Sequence, residues 1–123
     1  MSPAPIEAPR IYPAFRYADA AGMIDWLQQA FGFTVHARYG EGEIVHHAEL
    51  ALGSAMIMLG TARDDEFGRL AGQPGAGGGK TVYIAVHDAD AAYRRALAAG
   101  ARIEQGLVDR DYGSREFTCR DPE

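Results

Sequence analysis

The chain has one cysteine in 123 residues, so no disulfide can form within it. Cys119 alternates with apolar Phe117, the setting of a small buried hydrophobe rather than a reactive thiol. There is no basic excess either. Twelve Lys and Arg stand against 17 Asp and Glu, a net charge of -5, and the basic residues are scattered, with Arg94 and Arg95 the adjacent pair. Phosphate binding rests on concentrated positive charge, so nucleic acid is excluded as a partner. No apolar run approaches the roughly 18 residues of a membrane span. The start, MSPAPIEAPR, has neither the basic residues nor the apolar stretch of a secretion signal. These absences predict a soluble, cytoplasmic protein that binds neither membrane nor nucleic acid. A 47% hydrophobic content in a chain of this length is enough for one domain with one core.

What the chain does have is an internal repeat. From Tyr12 it reads strand, Asp19, apolar helix, Gly32 and then strands through HHAELALGSAMIMLG. From Thr81 it reads strand, Asp88, apolar helix, Gly100 and then strands through REFTC. Asp19 and Asp88, Gly32 and Gly100, and Glu49 and Glu116 are separated by 69, 68 and 67 residues. That period is too long for a solenoid, whose repeats run roughly 20–50 residues. Two copies of one supersecondary unit around a shared core fit it, and a pair of sheets related in this way encloses a cleft.

The elements follow from periodicity. Residues 1–10 carry three prolines and form an extended arm. Ile11 to Tyr17 alternates, with Pro13, Phe15 and Tyr17 on one face and Tyr12, Ala14 and Arg16 on the other. Asp19 caps a helix whose Met23, Trp26, Leu27, Ala30 and Phe31 recur at helical spacing up to Gly32. Strands follow from Phe33 to Tyr39, Ile44 to Leu52 and Ala55 to Leu59. Residues 61–79 are a linker, first charged and then glycine-rich. In the second unit, residues 80–123, Val82, Ile84 and Val86 alternate, Asp88 caps a helix, and Ile103–Val108 and Ser114–Cys119 are strands. The fold expected is α+β: two paired βαβββ modules, 11–60 and 80–123, forming a curved mixed sheet around a cleft, with the last strand of the second module missing.

GAGGGKT in the linker imitates a phosphate-binding loop, but Pro74 stands where that motif needs glycine, and it precedes a strand rather than opening a helix. It is a linker. His46 and His47 are neighbours on a strand, point to opposite faces and cannot chelate one metal together. His46 shares the helix-packing face with Ala48 and Leu50 and is expected to be buried. His47 and Glu49 share the other face, and the repeat supplies Ser114, Glu116 and Thr118 on the equivalent face of the second unit. This is a polar cluster able to move protons or bind a cation. Tyr12, Tyr39, Met56, Met58 and Tyr83 fall on or near the same faces and suit the wall of a pocket for an apolar or aromatic ligand. His36 and His87 carry no evident constellation.

The stretches IYPAFRYADAAGMIDWLQQAFGF, HHAELALGSAMIMLG and YGSREFTCRDPE resemble the vicinal oxygen chelate superfamily: glyoxalase I, extradiol dioxygenases, fosfomycin-resistance enzymes and bleomycin-resistance proteins. The resemblance runs from Arg10 to Glu123. It implies paired βαβββ modules, each curling a sheet around a pocket, in a homodimer. It also implies that the natural protein continues past Glu123 into an eighth strand. In the enzymes of that family a divalent metal is held from the first and last strand of each module. Those positions fall here on Tyr12, Thr81 and Met58, none of them a His or a carboxylate. The expectation is therefore a metal-free protein of the bleomycin-resistance type, with no cofactor, binding an aromatic or cationic small molecule. Its ligand-binding residues would be Tyr12, His47, Glu49, Met58, Tyr83, Ser114 and Glu116. The alternative is a metal-dependent glyoxalase-like lyase or isomerase, or a dioxygenase, with its divalent metal on His47, Glu49 and Glu116. A metal-free lyase or isomerase would use Glu49 or Glu116 as its catalytic base.

Overall fold

A computed structural model describes residues 11–75 and 82–123. The expected arm at 1–10, the glycine run at 76–79, Lys80 and Thr81 lie outside the described residues. The first half is one continuous βαβββ unit: β1 (Ala14–Tyr17), α1 (Ala20–Phe31), β2 (Thr34–Glu41), β3 (Ile44–Leu52) and β4 (Ala55–Thr61). Asp19 caps α1 by accepting the Gly22 amide at 3.0 Å. Gly32 ends it at φ +80, a left-handed turn that a Cβ would strain. The apolar positions of α1 make one stripe, with Met23, Ile24, Leu27 and Ala30 all buried.

That stripe packs on a four-stranded sheet in the order β1-β4-β3-β2, with β1 parallel to β4 and the other pairs antiparallel. Ile24, Leu50 and Val45 are the largest fully buried side chains at the contact. Val45 is a surprise of register. Strict alternation puts His46 on the core side, yet His46 is exposed and Val45 is fully buried. The ladder explains it: Tyr39 pairs with His47 and the next pair is Gly40 with Val45, so His46 is the extra residue of a β-bulge. A second bulge sits at His36, between the pairs Val35–Leu50 and Ala37–Glu49. Each bulge inverts the alternation on one side of a histidine.

After β4 the chain forms a short helix, α2 (Glu66–Ala71), where the sequence shows a charged run. The second unit follows with α3 (Ala89–Ala98), capped by Asp88 through the Ala91 amide at 3.1 Å, and the antiparallel hairpin of β5 (Arg102–Asp109) and β6 (Arg115–Arg120). The α+β class agrees with expectation, while strand pairing in the second half is thinner. Instead of one mixed sheet there are a mixed four-stranded sheet and a separate two-stranded one. Val82–Val86 alternates as a strand should but pairs with no strand among the described residues, and Val82 and Val86 are about half exposed. The first unit supplies the reason. There β1 is an edge strand whose sole ladder partner is β4. No strand equivalent to β4 follows β6 among the described residues, so the counterpart of β1 has no ladder partner among them.

The two halves meet helix against helix. Trp26 on α1 donates its indole N–H to the Ala99 carbonyl at 2.9 Å. Arg95 on α3 returns the contact, donating to the Gln29 carbonyl at 2.8 Å and to that of Gln28 at 3.1 Å. Each side chain thus binds carbonyls at the C-terminal end of the other helix, that of Gln28 being shared with the Gly32 amide. Farther along, the half-buried Tyr17 hydroxyl donates to Asp121 at 2.9 Å, and its desolvation together with that carboxylate raises its pKa. The Glu123 carboxylate accepts the amides of Ala18 and Asp19, both at 2.7 Å. Among the described residues no helix is long and apolar enough to cross a membrane.

Two outcomes follow from this packing. Leu50→Ala removes a fully buried side chain and is expected to destabilise the fold by about 2–5 kcal/mol in denaturant unfolding. Hydrogen exchange should separate the two repeat-related segments, with slow amides in β1 and fast ones across Val82–Val86. Equal protection would mean that Val82–Val86 is laddered in solution.

Candidate functional site

With α1 on one face of the sheet, the other face of β1–β4 is left for polar and polarisable side chains. Glu49 lies beside Met58 on β4, which in turn lies beside Ala14 on β1. One Glu49 oxygen accepts from His47 Nε2 at 3.1 Å, and the other stands 3.9 Å from His36 Nε2. Tyr39 stacks on the His47 ring with centroids 6.3 Å apart. His47, Glu49 and Met58 are thereby brought together as neighbours. His36 joins them unforeseen, because the bulge that delivers it leaves no mark in an alternation pattern.

Beside this row an open cavity of about 330 Å³ is lined by β1, β3 and β4 and by the segment that follows, including Arg16, His47, Met58, Gly60, Arg63 and Phe67. Arg16 is held flat. Its Nη1 and Nη2 each donate to one oxygen of Asp65 at 3.1 Å, and the Phe67 ring stacks with its centroid 4.6 Å from the guanidinium carbon. Arg63 donates to the Thr61 and His46 carbonyls and pairs with Asp65 at 3.2 Å. The Arg16 guanidinium, helped by the Gly68 amide, holds the Asp65 carboxyl well below the usual carboxylate range. Sequence reading passed over Arg16 and Arg63. An arginine on a sheet face reads as solvated until a neighbouring helix is seen to cover it.

Glu116 has different company. It accepts from the Tyr112 hydroxyl, from Tyr83 at 2.6 Å, from Arg110 Nε at 3.0 Å and from Ser114 at 3.4 Å. These hydrogen bonds, Tyr112 first and Tyr83 next, lower its pKa to about 2. A carboxylate so fully engaged is a fixed anion and a poor proton acceptor, which counts against Glu116 as a catalytic base. Its role is visible in what it joins: Tyr83 belongs to the unladdered Val82–Val86 segment, so Glu116 ties that segment to β6. Among the described residues no hydrogen bond or ion pair links this cluster to Glu49. The seven residues expected to line one cleft therefore divide, with His47, Glu49 and Met58 in the first unit and Tyr83, Ser114 and Glu116 in the second. Tyr12 stands two residues before β1 and is partly exposed.

A sequence profile of the Glyoxalase/Bleomycin resistance protein/Dioxygenase superfamily matches residues 11–123. The chain belongs to that superfamily. It is 31% identical over 118 residues to Mb0911c, an uncharacterized protein of Mycobacterium bovis, across 93% of this chain and 77% of the mycobacterial one. Among solved structures it is similar to TioX of Micromonospora sp. ML1, at 28% identity and a TM-score of 0.70, covering 93% of this chain and 88% of TioX. It is also similar to a superfamily member from Sphaerobacter thermophilus, at 18% identity and a TM-score of 0.69 over 93% of this chain and 90% of that one. The last likeness shows the fold alone.

For this glyoxalase-superfamily chain the question of a divalent metal turns on its donors. At the implied ligand positions Tyr12 offers a phenol and Met58 a thioether, neither suited to a hard divalent cation, while Thr81 lies outside the described residues. Among the described residues no three His, Cys, Asp or Glu side chains gather to hold a metal ion. The set of His47, Glu49 and Glu116 is split between the two units. The donors described do not fit a divalent metal.

The Glu116 cluster carries a pH signature. Its folded pKa of about 2 lies below the ordinary 4.5, so its contribution to stability is present above about pH 4.5 and is lost as the pH falls towards 2. Glu116→Gln should melt lower than the wild type near neutral pH, and the gap should close over that acidic interval. A gap independent of pH would show that the cluster does not depend on the charge of Glu116.

Proposed function

We propose that this chain is a small-molecule-binding protein of the glyoxalase/bleomycin-resistance type. It takes a ligand with an aromatic or apolar body on the open face of the first unit's sheet, without a resident metal. The observation that carries the reading is the cavity of about 330 Å³. A volume at the small end of the ligand-pocket range sits where Met58 and Phe67 offer polarisable walls and His47 offers a polar anchor backed by Glu49. Superfamily membership supports it, because curved sheets in this fold are built to enclose ligands. In this reading the protein acts as a cytoplasmic homodimer whose partner is the small molecule.

The test is a thermal-shift screen of aromatic compounds, followed by two variants. Glu49→Gln keeps the shape of the side chain but weakens its hold on His47, and should weaken ligand binding about tenfold while leaving the melting temperature of the free protein nearly unchanged. Met58→Trp should fill the cavity and abolish the ligand-induced shift. Binding untouched by both variants would remove the ligand from this face.

A second reading, a metal-free lyase or isomerase, is favoured by the His47–Glu49 hydrogen bond. With Nε2–H donated to Glu49, the Nδ1 lone pair of His47 makes no hydrogen bond among the described residues and could accept a proton from a bound carbon acid. Exchange of a ligand C–H for solvent deuterium, lost in His47→Gln, would support this reading. A ligand that binds without exchange leaves the protein a binder.

A further inference from the structure

We infer that the ligand of this cavity is an anion, an organic acid whose carboxylate or sulfonate docks on Arg16 and Arg63 while its apolar body lies against Met58 and Phe67. The inference rests on the proposed binding role of this face and supplies the chemistry of what is bound. It departs from the cationic ligand that the acidic composition and the exposed glutamates suggest.

The charge balance of the wall is the first reason. The charged groups that line the cavity are Arg16 and Arg63, with His46 and His47 beside them, and no carboxylate is in the lining. Asp65, which is not in the lining, pairs with both guanidiniums, at 3.1 Å and 3.2 Å. Two positive charges against one negative leave a net positive wall in a protein whose overall charge is -5. Glu49, the carboxylate beside His47, is already engaged by that histidine and approached by His36. A concave positive wall inside a negative protein selects anions over cations.

The second reason is preorganisation. A guanidinium has five N–H donors. Arg16 commits one on each terminal nitrogen to Asp65, and its side chain is only 12% exposed beneath Phe67. Arg63 commits one on each terminal nitrogen, to the Thr61 and His46 carbonyls, and pairs with Asp65 through Nε at 3.2 Å. Donors remain on both, and both side chains are already fixed in place. A ligand carboxylate therefore meets oriented N–H groups and loses little side-chain entropy in ordering them. A planar anion suits a guanidinium edge better than a spherical one, since two N–H groups can reach two oxygens.

The experiment uses the full chain and three probes that share one body: 2-naphthylacetate, 2-(2-naphthyl)ethanol and 2-(2-naphthyl)ethylammonium, titrated with the amide of Gly60 and the Nε–H groups of Arg16 and Arg63 followed by NMR. The carboxylate is expected to bind about tenfold tighter than the alcohol, and the ammonium more weakly than either. Arg63→Gln should cut the carboxylate's advantage most and Arg63→Lys should keep the charge but only part of the advantage, with melting temperatures confirming that both variants fold. Raising the salt from about 0.05 M to about 0.5 M should weaken the carboxylate and leave the alcohol unmoved. Equal affinity for carboxylate and alcohol, with shifts at Gly60 in both, would overturn the anion inference and leave the binding reading standing. Tighter binding of the ammonium would do the same. No shift at these resonances with any probe would overturn the inference together with the binding reading beneath it.

Discussion

The seating of α1 on one face of the four-stranded sheet is the constraint from which the remaining features follow. Once Met23, Ile24 and Leu27 take that face, each residue of β1, β3 and β4 is sorted either into the core with Val45, Leu50 and Leu59 or onto the opposite face. The residues excluded from the core are those with chemistry: His47, Glu49, Met58 and Arg16. A polar row on the far side of a sheet is thus a by-product of packing, and a cavity forms beside it where Phe67 of α2 covers part of that face. The same helix carries the seam between the halves, since its Trp26 and its C-terminal carbonyls are what α3 binds.

The two halves solve one problem with different means. In the first, β1 is held by a backbone ladder to β4. In the second, the equivalent segment is held by a side-chain cluster in which Tyr83 reaches Glu116. Backbone ladders are repetitive and indifferent to side-chain identity. A cluster built on one carboxylate depends on a single charge, which makes this tether sensitive to acid. Glu49 and Glu116, equivalent in the repeat, therefore do different things: one pairs with His47 beside the cavity, and the other is consumed in holding the chain together.

Much of this was legible from the residues alone. Asp19, Gly32 and Asp88 announce helix ends through local chemistry, capping and left-handed φ, which needs no tertiary information. The stripe of α1 is equally local, and the repeat separations are enough to declare two related units. The pairing of His47 with Glu49 was within reach for the same reason, since residues two apart on a strand share a face. The superfamily resemblance could be drawn because these local signals occur in a fixed order.

Tertiary structure decided what alternation cannot express. A bulge adds one residue to one strand, and nothing in the sequence of β2 or β3 marks where. His36 therefore came to Glu49, and His46 left the core for the surface. Whether Val82–Val86 is a strand depended on a partner elsewhere in the chain, because a strand is completed by its neighbour and not by its own pattern. The sign of the cavity was decided the same way. Composition alone makes this an acidic protein, and only the fold sets Arg16 and Arg63 together in the wall with a single carboxylate, Asp65, paired to both.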